Sequence, residues 1–235
     1  MAERFFNSDY KEHAVLSDGS HVTLRLIRPE DKHLLTEGFS KLSPEARYLR
    51  FFTGKGRLTE GELHYFTEVD QEHHFALGAL ARSEDGKHFG VGVARFVCLK
   101  DDPTVAEPAF TILDDWQGLG LGRLLFQRLM AAARERGVER FRIEVLRENH
   151  SMLDLIDRTC SEAVCTPSGP VMQIEFRIPD VPPQAGPEDK SHHSPFYRFF
   201  RRATDQSELF QRASRTLTQL RASFLMGEGM IDEED

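Results

Sequence analysis

The stretch that most constrains the fold runs from Thr111 to Leu125 and reads TILDDWQGLGLGRLL. An apolar run ends at a pair of aspartates, three alternating glycines follow (Gly118, Gly120 and Gly122), and apolar residues then recur at helical spacing. This order predicts a strand, a tight turn and the start of a helix. The first turn of a helix offers unpaired N–H groups and the positive end of the helix dipole, and glycines let an anion approach the backbone. The stretch therefore predicts a pyrophosphate site, although a glycine-rich turn that only connects a strand to a helix has the same pattern.

The spacing of the glycines distinguishes between the known phosphate-binding turns. A P-loop ends in Gly-Lys-Ser/Thr, whereas in this chain Arg123 and Leu124 follow the last glycine. A dinucleotide-binding turn needs its third glycine one residue later than Gly122. The pattern that does match is Q-x-x-G-x-G, with Gln117 and Gly120 ahead of that last glycine. This turn resembles the acetyl-CoA signature of the GNAT N-acetyltransferase family.

The order of predicted elements resembles the same family over residues 14–178. Hydrophobic periodicity and turn residues predict a hairpin (13–16 and 21–27), three helices (from Pro29, Ser43 and Thr59), strands at 75–81, 89–97 and 106–113, a helix ending near Arg136, a strand at 141–146, a helix at 149–158 and a strand at 171–178. The segment 106–146 is a βαβ unit, whose crossover makes its two strands parallel. The predicted fold class is therefore α+β and GNAT-like, with a central mixed, mostly antiparallel sheet flanked by helices and one parallel βαβ cofactor unit.

Three segments narrow the resemblance within the family. Residues 24–52, the sequence AEPAF at 106–110 and the sequence ENHSML at 148–153 are similar to the catalytic domain of bacterial Pat-type protein lysine acetyltransferases. This resemblance implies an enzyme that uses acetyl-CoA as donor and a primary amine, on a protein lysine, as acceptor. Two features depart from the family: Pro108 removes a donor from the strand, and a Gly-Phe pair that often follows the short helix is replaced by RTCSE at 158–162.

Glu107 is the candidate general base. Acetyl transfer needs a neutral amine, and the matching family position often holds a glutamate that deprotonates it, commonly through water. A glutamate on the exposed face of a strand fits the sequence equally well. Family members of other branches place a tyrosine general acid at the position of Ile156, so in this chain the leaving thiolate would take its proton from water.

The resemblance also implies the residues that bind acetyl-CoA. Backbone N–H groups near Leu113 would donate to the thioester oxygen. Asn149 would bond the pantetheine arm, or would simply cap the helix that follows. The complete predicted acetyl-CoA site is Ile112, Leu113, Asp114, Gln117, Gly118, Leu119, Gly120, Leu121, Gly122, Arg123 and Asn149.

Charge and cysteine content limit the other classes of function. The net charge of -8 argues against a general nucleic-acid binder and is compatible with a basic acceptor. The three cysteines are odd in number and follow no C-x-x-C spacing, which predicts a reducing cytoplasm, no disulfide framework and no zinc site. The pairs His73-His74 and His192-His193 lack metal-ligand spacing and are expected to be ordinary histidines. No signal peptide or membrane-spanning run is expected.

The predicted organisation is one domain followed by a tail. The acetyltransferase domain covers 1–178, and a linker at 179–195 holds five of the eleven prolines. An amphipathic helix at 196–226 and an acidic tip at 227–235 complete the chain. The apolar stripe of that helix is expected to pack against a partner: a second copy in a homodimer is favoured, and its own domain, another protein or an anionic membrane are the alternatives.

Two other interpretations of the domain are compatible with the sequence. It could be a non-catalytic module that binds acyl-CoA as a sensor, or an enzyme that acetylates small-molecule amines. A Rossmann-like nucleotide binder is disfavoured by the glycine spacing and by the three-strand meander ahead of the turn.

Overall fold

In the computed structural model the chain folds around a single mixed sheet. The structure describes residues 4–160 and 162–179, which contain eight strands and five α-helices. The strands are β1 (Lys11–Val15), β2 (His21–Leu26), β3 (His74–Arg82), β4 (His88–Cys98), β5 (Val105–Ile112), β6 (Arg140–Leu146), β7 (Val164–Ser168) and β8 (Val171–Arg177). The helices are α1 (Lys32–Lys41), α2 (Pro44–Phe51), α3 (Glu60–Thr67), α4 (Leu121–Glu135) and α5 (His150–Thr159). The predicted α+β class is confirmed.

The sheet has the order β1-β2-β3-β4-β5-β6-β8-β7, and one of its neighbouring pairs is parallel. That pair is β5 with β6, as the βαβ prediction required. It is also very short, because only Val105–Arg140 and Ala106–Phe141 are in register. Beyond Ala106 the two strands separate, and this separation positions the site described below.

Helices cover both faces of the sheet. On one face α4 packs against β3, β4 and β5, where Phe126 meets Phe110 edge to face with 5.2 Å between ring centroids. On the other face α1, α2 and α3 cover the same strands, and Phe66 of α3 lies against Arg95 of β4. Because side chains alternate along a strand, two adjacent apolar layers form from one set of strands. The largest fully buried side chains include Phe75, Phe96, Phe126, Phe141, Leu125 and Leu129.

The helix ends follow the local capping chemistry. The hydroxyl of Ser43 accepts the N–H of Ala46 at the start of α2, and Thr59 forms a capping box with Glu62 at the start of α3. Gly137 follows α4 with a φ of 78°, the left-handed conformation that ends many helices. These three boundaries confirm the sequence-based expectations.

Strand β7 was not predicted. It lies at the edge of the sheet, pairs with β8 alone and contains Pro167. A proline within a short run argues against a central strand, but an edge strand tolerates it because its outer N–H groups need no partner. The sequence did not reveal β7 because this edge strand is mostly exposed and lacks the alternation of buried and exposed residues that identifies a strand.

The other strand proline, Pro108, costs β5 no hydrogen bond to β4. The bonds from Leu99 N to Val105 O (2.9 Å) and from Leu113 N to Val91 O (3.0 Å) show that the odd-numbered residues of β5 pair with β4. By alternation the backbone nitrogen of Pro108 faces β6 instead. It does so beyond the last residue at which β5 and β6 pair. The departure noted in the sequence is thus accommodated by the separation of these strands.

The predicted linker, C-terminal helix and acidic tip fall at 180–235 and lie outside the described residues. They stay predictions. Among the helices that the structure describes, none combines the length and apolarity needed to cross a membrane.

Candidate active site

The glycine turn adopts the conformation that its sequence predicted. Gly118 and Gly120 have φ values of 72° and 90°, in the left-handed region that glycine enters without strain. Gly120 directly precedes α4, and at neither glycine does any heavy atom lie within 4 Å of an ideal Cβ position. At the third position glycine is favoured by space and not by backbone conformation, since a Cβ on Gly122 would come within 3.2 Å of the Ile112 side chain. The turn therefore leaves open space in front of the N–H groups of the first turn of α4.

Two hydrogen bonds fix this turn to the rest of the fold. The side-chain amide of Gln117 donates to the carbonyl of Ile112 at the end of β5 (3.2 Å). The carbonyl of Leu119 accepts the N–H of Ser17, from the turn that joins β1 to β2 (3.2 Å). The glutamine of the Q-x-x-G-x-G pattern thus holds the turn against its own strand.

The carboxylate of Asp114 is engaged by α2. It accepts the backbone N–H of Ser43 (2.9 Å) and the hydroxyl of the same residue (2.7 Å). Burial raises the pKa of Asp114, but the hydrogen bonds from Ser43 outweigh it and the pKa lies below its ordinary value. This side chain therefore connects the glycine turn to α2.

A groove of about 690 Å³ lies where β5 and β6 separate. It is lined by residues 108–112 of β5, by 143–145 of β6, by the glycine turn, by one side of α5 along its length and by residues of α2 and of the turn after β1. The alternation along β5 places the backbone N–H of Phe110 and Ile112 on the groove side. Backbone N–H groups near Leu113 were predicted to donate to the thioester; the N–H of Leu113 itself is bonded to Val91 within the sheet.

Of the remaining predicted cofactor residues, Asn149, Leu119 and Arg123 line this groove and Leu121 does not. The side-chain oxygen of Asn149 accepts the N–H of Met152 (3.1 Å), so it caps α5 while lining the groove. Leu121 is fully buried, so that only its backbone could contact a ligand. Ile156, at the position where other branches have a tyrosine general acid, is 1% exposed and belongs to the core.

Glu107 lies one residue beyond the last β5–β6 pair and is half-buried. It is in register with Val97 of β4, which is in turn in register with His74 of β3, so the three side chains share one face of the sheet. That is the face covered by α1, α2 and α3. Glu107 therefore lies on the side of the sheet away from α4; it precedes Pro108, the first residue of β5 that lines the groove, and is not itself among the lining residues.

A cluster of titratable groups near Glu107 was not predicted. Arg95 bonds to the ring nitrogen Nε2 of His74 (3.0 Å) and to the carbonyl of Phe66 (3.3 Å), and the ring of Tyr65 lies 4.7 Å from that of His74. Burial, and then the charge of Arg95, lowers the pKa of His74 to about 4. The imidazole is therefore neutral at pH 7 and accepts from Arg95. His74 is thus a hydrogen-bonded, partly buried histidine, whereas the sequence alone left open whether it lies at the surface or in the core.

The phenol of Tyr65 is close enough to both Arg95 and Glu107 to be affected by their charges. Burial raises the pKa of Tyr65; the charges of Arg95 and Arg50 oppose that rise, and the charge of Glu107 adds to it. The one available sequence signal was an arginine inside the apolar run GVARFV of β4. Its neighbours come from α3, β3 and β5, which no local pattern connects. Among the described residues, no group of three or more His, Cys, Asp or Glu is placed to hold a metal ion.

Comparisons with known proteins agree with this geometry. The family model described as "Acetyltransferase (GNAT) family" matches residues 42–160. Acetyltransferase PA5475 of Pseudomonas aeruginosa is 33% identical over 140 residues, which cover 60% of this chain and 74% of that protein. Acetyltransferase Pat of Mycolicibacterium smegmatis is 34% identical over 163 residues, covering 69% of this chain but only 47% of that longer protein. The crystal structure of the GNAT domain of S. lividans PAT superposes with a TM-score of 0.65 at 27% identity, covering 73% of this chain and 99% of that one.

Proposed function

The chain belongs to the GNAT acetyltransferase family, and from that premise we propose that it transfers the acetyl group of acetyl-CoA to a lysine side chain of a protein. The observation that carries the proposal is the open glycine turn at the start of α4, which faces the groove between β5 and β6. An extended ligand with a diphosphate at one end matches that arrangement. The diphosphate accepts hydrogen bonds from the N–H groups of the first turn of α4, next to Gly118 and Gly120.

The rest of the donor lies along the groove in this proposal. The pantetheine arm takes the place of a strand beside β5, where the N–H groups of Phe110 and Ile112 face the groove. Asn149 contributes its side-chain amide nitrogen while its oxygen caps α5. The thioester carbonyl then accepts one of the β5 N–H groups and is polarised by it. Leu113 is left out of this set because its N–H is already bonded.

The chemistry follows from this placement. The amine nitrogen bonds to the thioester carbonyl carbon, the C–S bond breaks, and CoA leaves as a thiolate that takes a proton from water. Glu107 receives the proton of the amine, directly or through a water molecule. Much of the rate comes from holding the two reactants in line at the edge of β5.

A protein lysine is the proposed acceptor for two reasons. The net charge of -8 favours the approach of a basic surface. The similarity to proteins named Pat, at 34% and 27% identity, favours the same acceptor class as the sequence segments did. The cytoplasmic location and the homodimer through the C-terminal helix stay predictions.

The donor site is tested by a charge placed in the turn. Gly120→Asp puts a Cβ and a negative charge where the diphosphate would lie, so calorimetry should detect no acetyl-CoA binding. Gly169→Asp is the matched control, because Gly169 also has a positive φ (59°) and open surroundings but lies outside the groove. Unchanged affinity in Gly120→Asp would falsify the assignment.

The acceptor is tested separately. The purified protein is incubated with labelled acetyl-CoA and either a cell lysate or small amines, and the labelled lysines are located by mass spectrometry. Faster turnover of polyamines or aminoglycosides than of any lysine peptide or protein would replace the lysine proposal with the small-molecule alternative.

A further inference from the structure

A second cavity lies under α1, α2 and α3 and meets the donor groove at one edge. It has a volume of about 90 Å³ and lies between these helices and the strands β3, β4 and β5. Small residues line the sheet side of it, namely Gly78, Ala79, Gly90, Gly92 and Ala109. Arg50, Ala109 and Thr111 line both the cavity and the groove, so the two spaces are adjacent at β5.

Arg95 gives this largely apolar cavity a positive charge. The residue is 6% exposed, and its hydrogen bonds go to uncharged acceptors on His74 and Phe66. Within the part of the chain that the structure describes, no carboxylate forms an ion pair with it. Arg25, which also lines the cavity, is by contrast neutralised by Asp31 through hydrogen bonds of 2.6 and 2.7 Å. The third arginine of the lining, Arg50, lies over the ring of Phe51, with its guanidinium carbon 5.0 Å from the ring centroid. A buried cation without a counter-ion is costly, so an anion that reaches Arg95 is favoured there.

We propose that this cavity receives the distal carboxylate of a short dicarboxylic acyl group, so that the enzyme takes donors of the succinyl-CoA type as well as acetyl-CoA. The proposal rests on the proposed function, because the acyl chain reaches the cavity only when CoA occupies the groove. The methylene groups lie against the small apolar residues, and the carboxylate accepts N–H groups of Arg95. An arginine that is held in place by other bonds is well suited to bind a planar carboxylate.

The transfer step balances as it does with an acetyl group. The amine nitrogen bonds to the thioester carbonyl carbon, the C–S bond breaks, CoA leaves as a thiolate that is protonated by water, and the amine proton passes to Glu107. The distal carboxylate is not altered. The product amide carries a negative charge where the acceptor amine carried a positive one.

Calorimetry on the full chain without acceptor tests the binding. Butyryl-CoA is the matched ligand, since its acyl chain has the same number of carbons as succinyl but no carboxylate. A charge-assisted hydrogen bond to a buried arginine predicts that succinyl-CoA binds about 10- to 100-fold more tightly than butyryl-CoA. Equal affinities would overturn the proposal. Failure of acetyl-CoA itself to bind would instead overturn the proposed function.

Two variants connect the preference to this cavity. Arg95→Met removes the charge, and the advantage of succinyl-CoA over butyryl-CoA should vanish. Gly38→Leu fills the cavity from α1 and should fold, because the nearest atom to a Cβ on Gly38 is the carbonyl oxygen of Gly90 at 3.8 Å. It should weaken both longer donors and leave acetyl-CoA unaffected. Full retention of the succinyl advantage in Arg95→Met, or unchanged affinity of both longer donors in Gly38→Leu, contradicts the placement.

The acceptor could present the carboxylate instead, and the same variants separate the two sources. With acetyl-CoA as donor, initial rates are compared for free amino acids and for their amides. A preference for the free acids that disappears in Arg95→Met, without any succinyl-CoA advantage in the unaltered protein, would show that the donor assignment is wrong.

Discussion

Replacing Asp114 with asparagine tests whether its carboxylate supports α2 or binds the cofactor. Asparagine keeps one acceptor oxygen, so it can retain one of the two hydrogen bonds from Ser43 and loses the charge that strengthens both. A hydrogen bond to a charged group contributes about 1.5–3 kcal/mol when buried, and the exposure of Asp114 reduces that to about 1 kcal/mol. We expect Asp114→Asn to lower the free energy of unfolding in urea by that amount.

The pH dependence of this difference has a definite sign. The pKa of Asp114 is lower in the folded protein than its ordinary value, so the unfolded chain binds its proton first as the pH falls. The stabilisation by the carboxylate is therefore complete above about pH 4 and is lost as the pH falls through the folded pKa. The difference in unfolding free energy between the unaltered protein and Asp114→Asn should shrink over that range.

The kinetic part of the prediction separates the two roles. Helix α2 carries Leu49 and Arg50 to the groove, so loosening its first turn should raise KM for the acceptor while the Kd of acetyl-CoA stays unchanged. Asp115→Asn is the matched control, because Asp115 is the adjacent exposed acid and has no hydrogen bond in the described part of the structure. Equal stabilities and acceptor KM values for the two variants would refute the reasoning. A weaker acetyl-CoA Kd in Asp114→Asn alone would support the cofactor role predicted from the sequence.

The other predictions concern proton transfer, a buried base and the tail. Glu107→Gln should lower kcat by about 10²–10⁴-fold with little effect on acetyl-CoA affinity, and less so at high pH, where the amine loses its proton unaided; near-normal turnover at pH 7 would mean that another group or water is the base. The folded pKa of His74 is about 4, below the unfolded value of about 6.5. The free energy of unfolding should therefore fall as the pH is lowered from about 6.5 to about 4. NMR titration should show an unprotonated imidazole at pH 6, and protonation at that pH would contradict the effect of burial on this pKa. Truncation after Pro179 should change the number of copies calculated from light scattering from two to one if 196–226 pairs with a second copy, and a monomeric full chain would exclude that pairing.

The parts of the fold that the sequence predicted are those set by local chemistry. The starts of α2 and α3 depend on Ser43 and Thr59, each of which acts on N–H groups of its own helix. The glycine turn depends on conformations that glycine supplies, whatever surrounds it. The parallel βαβ unit follows from the alternation of element types. In each case the determining residues lie within a few positions of one another or follow a general rule of handedness.

The parts that were missed depend on neighbours that are distant in the sequence. The engagement of Asp114 required knowing where α2 lies, and the cluster of Tyr65, His74 and Arg95 required the order of β3 and β4 beside α3. The N–H of Leu113 could be excluded as a donor only once the register of β4 on β5 was known. Each of these is a contact between elements, which one sequence without its fold does not specify.

The two-residue contact between β5 and β6 divides the sheet into two blocks of consecutive strands, β1–β5 and β6–β8. Main-chain hydrogen bonding between the blocks is sparse, so α4 and the apolar layer beneath it must hold them together. A ligand with amide groups that lay in the groove would act as an additional strand and would bridge the two blocks. Occupancy of the groove would then be detected as slower exchange of backbone amide hydrogens with solvent along β5 and β6. In this arrangement the bound molecule is a structural component of the sheet for as long as it stays.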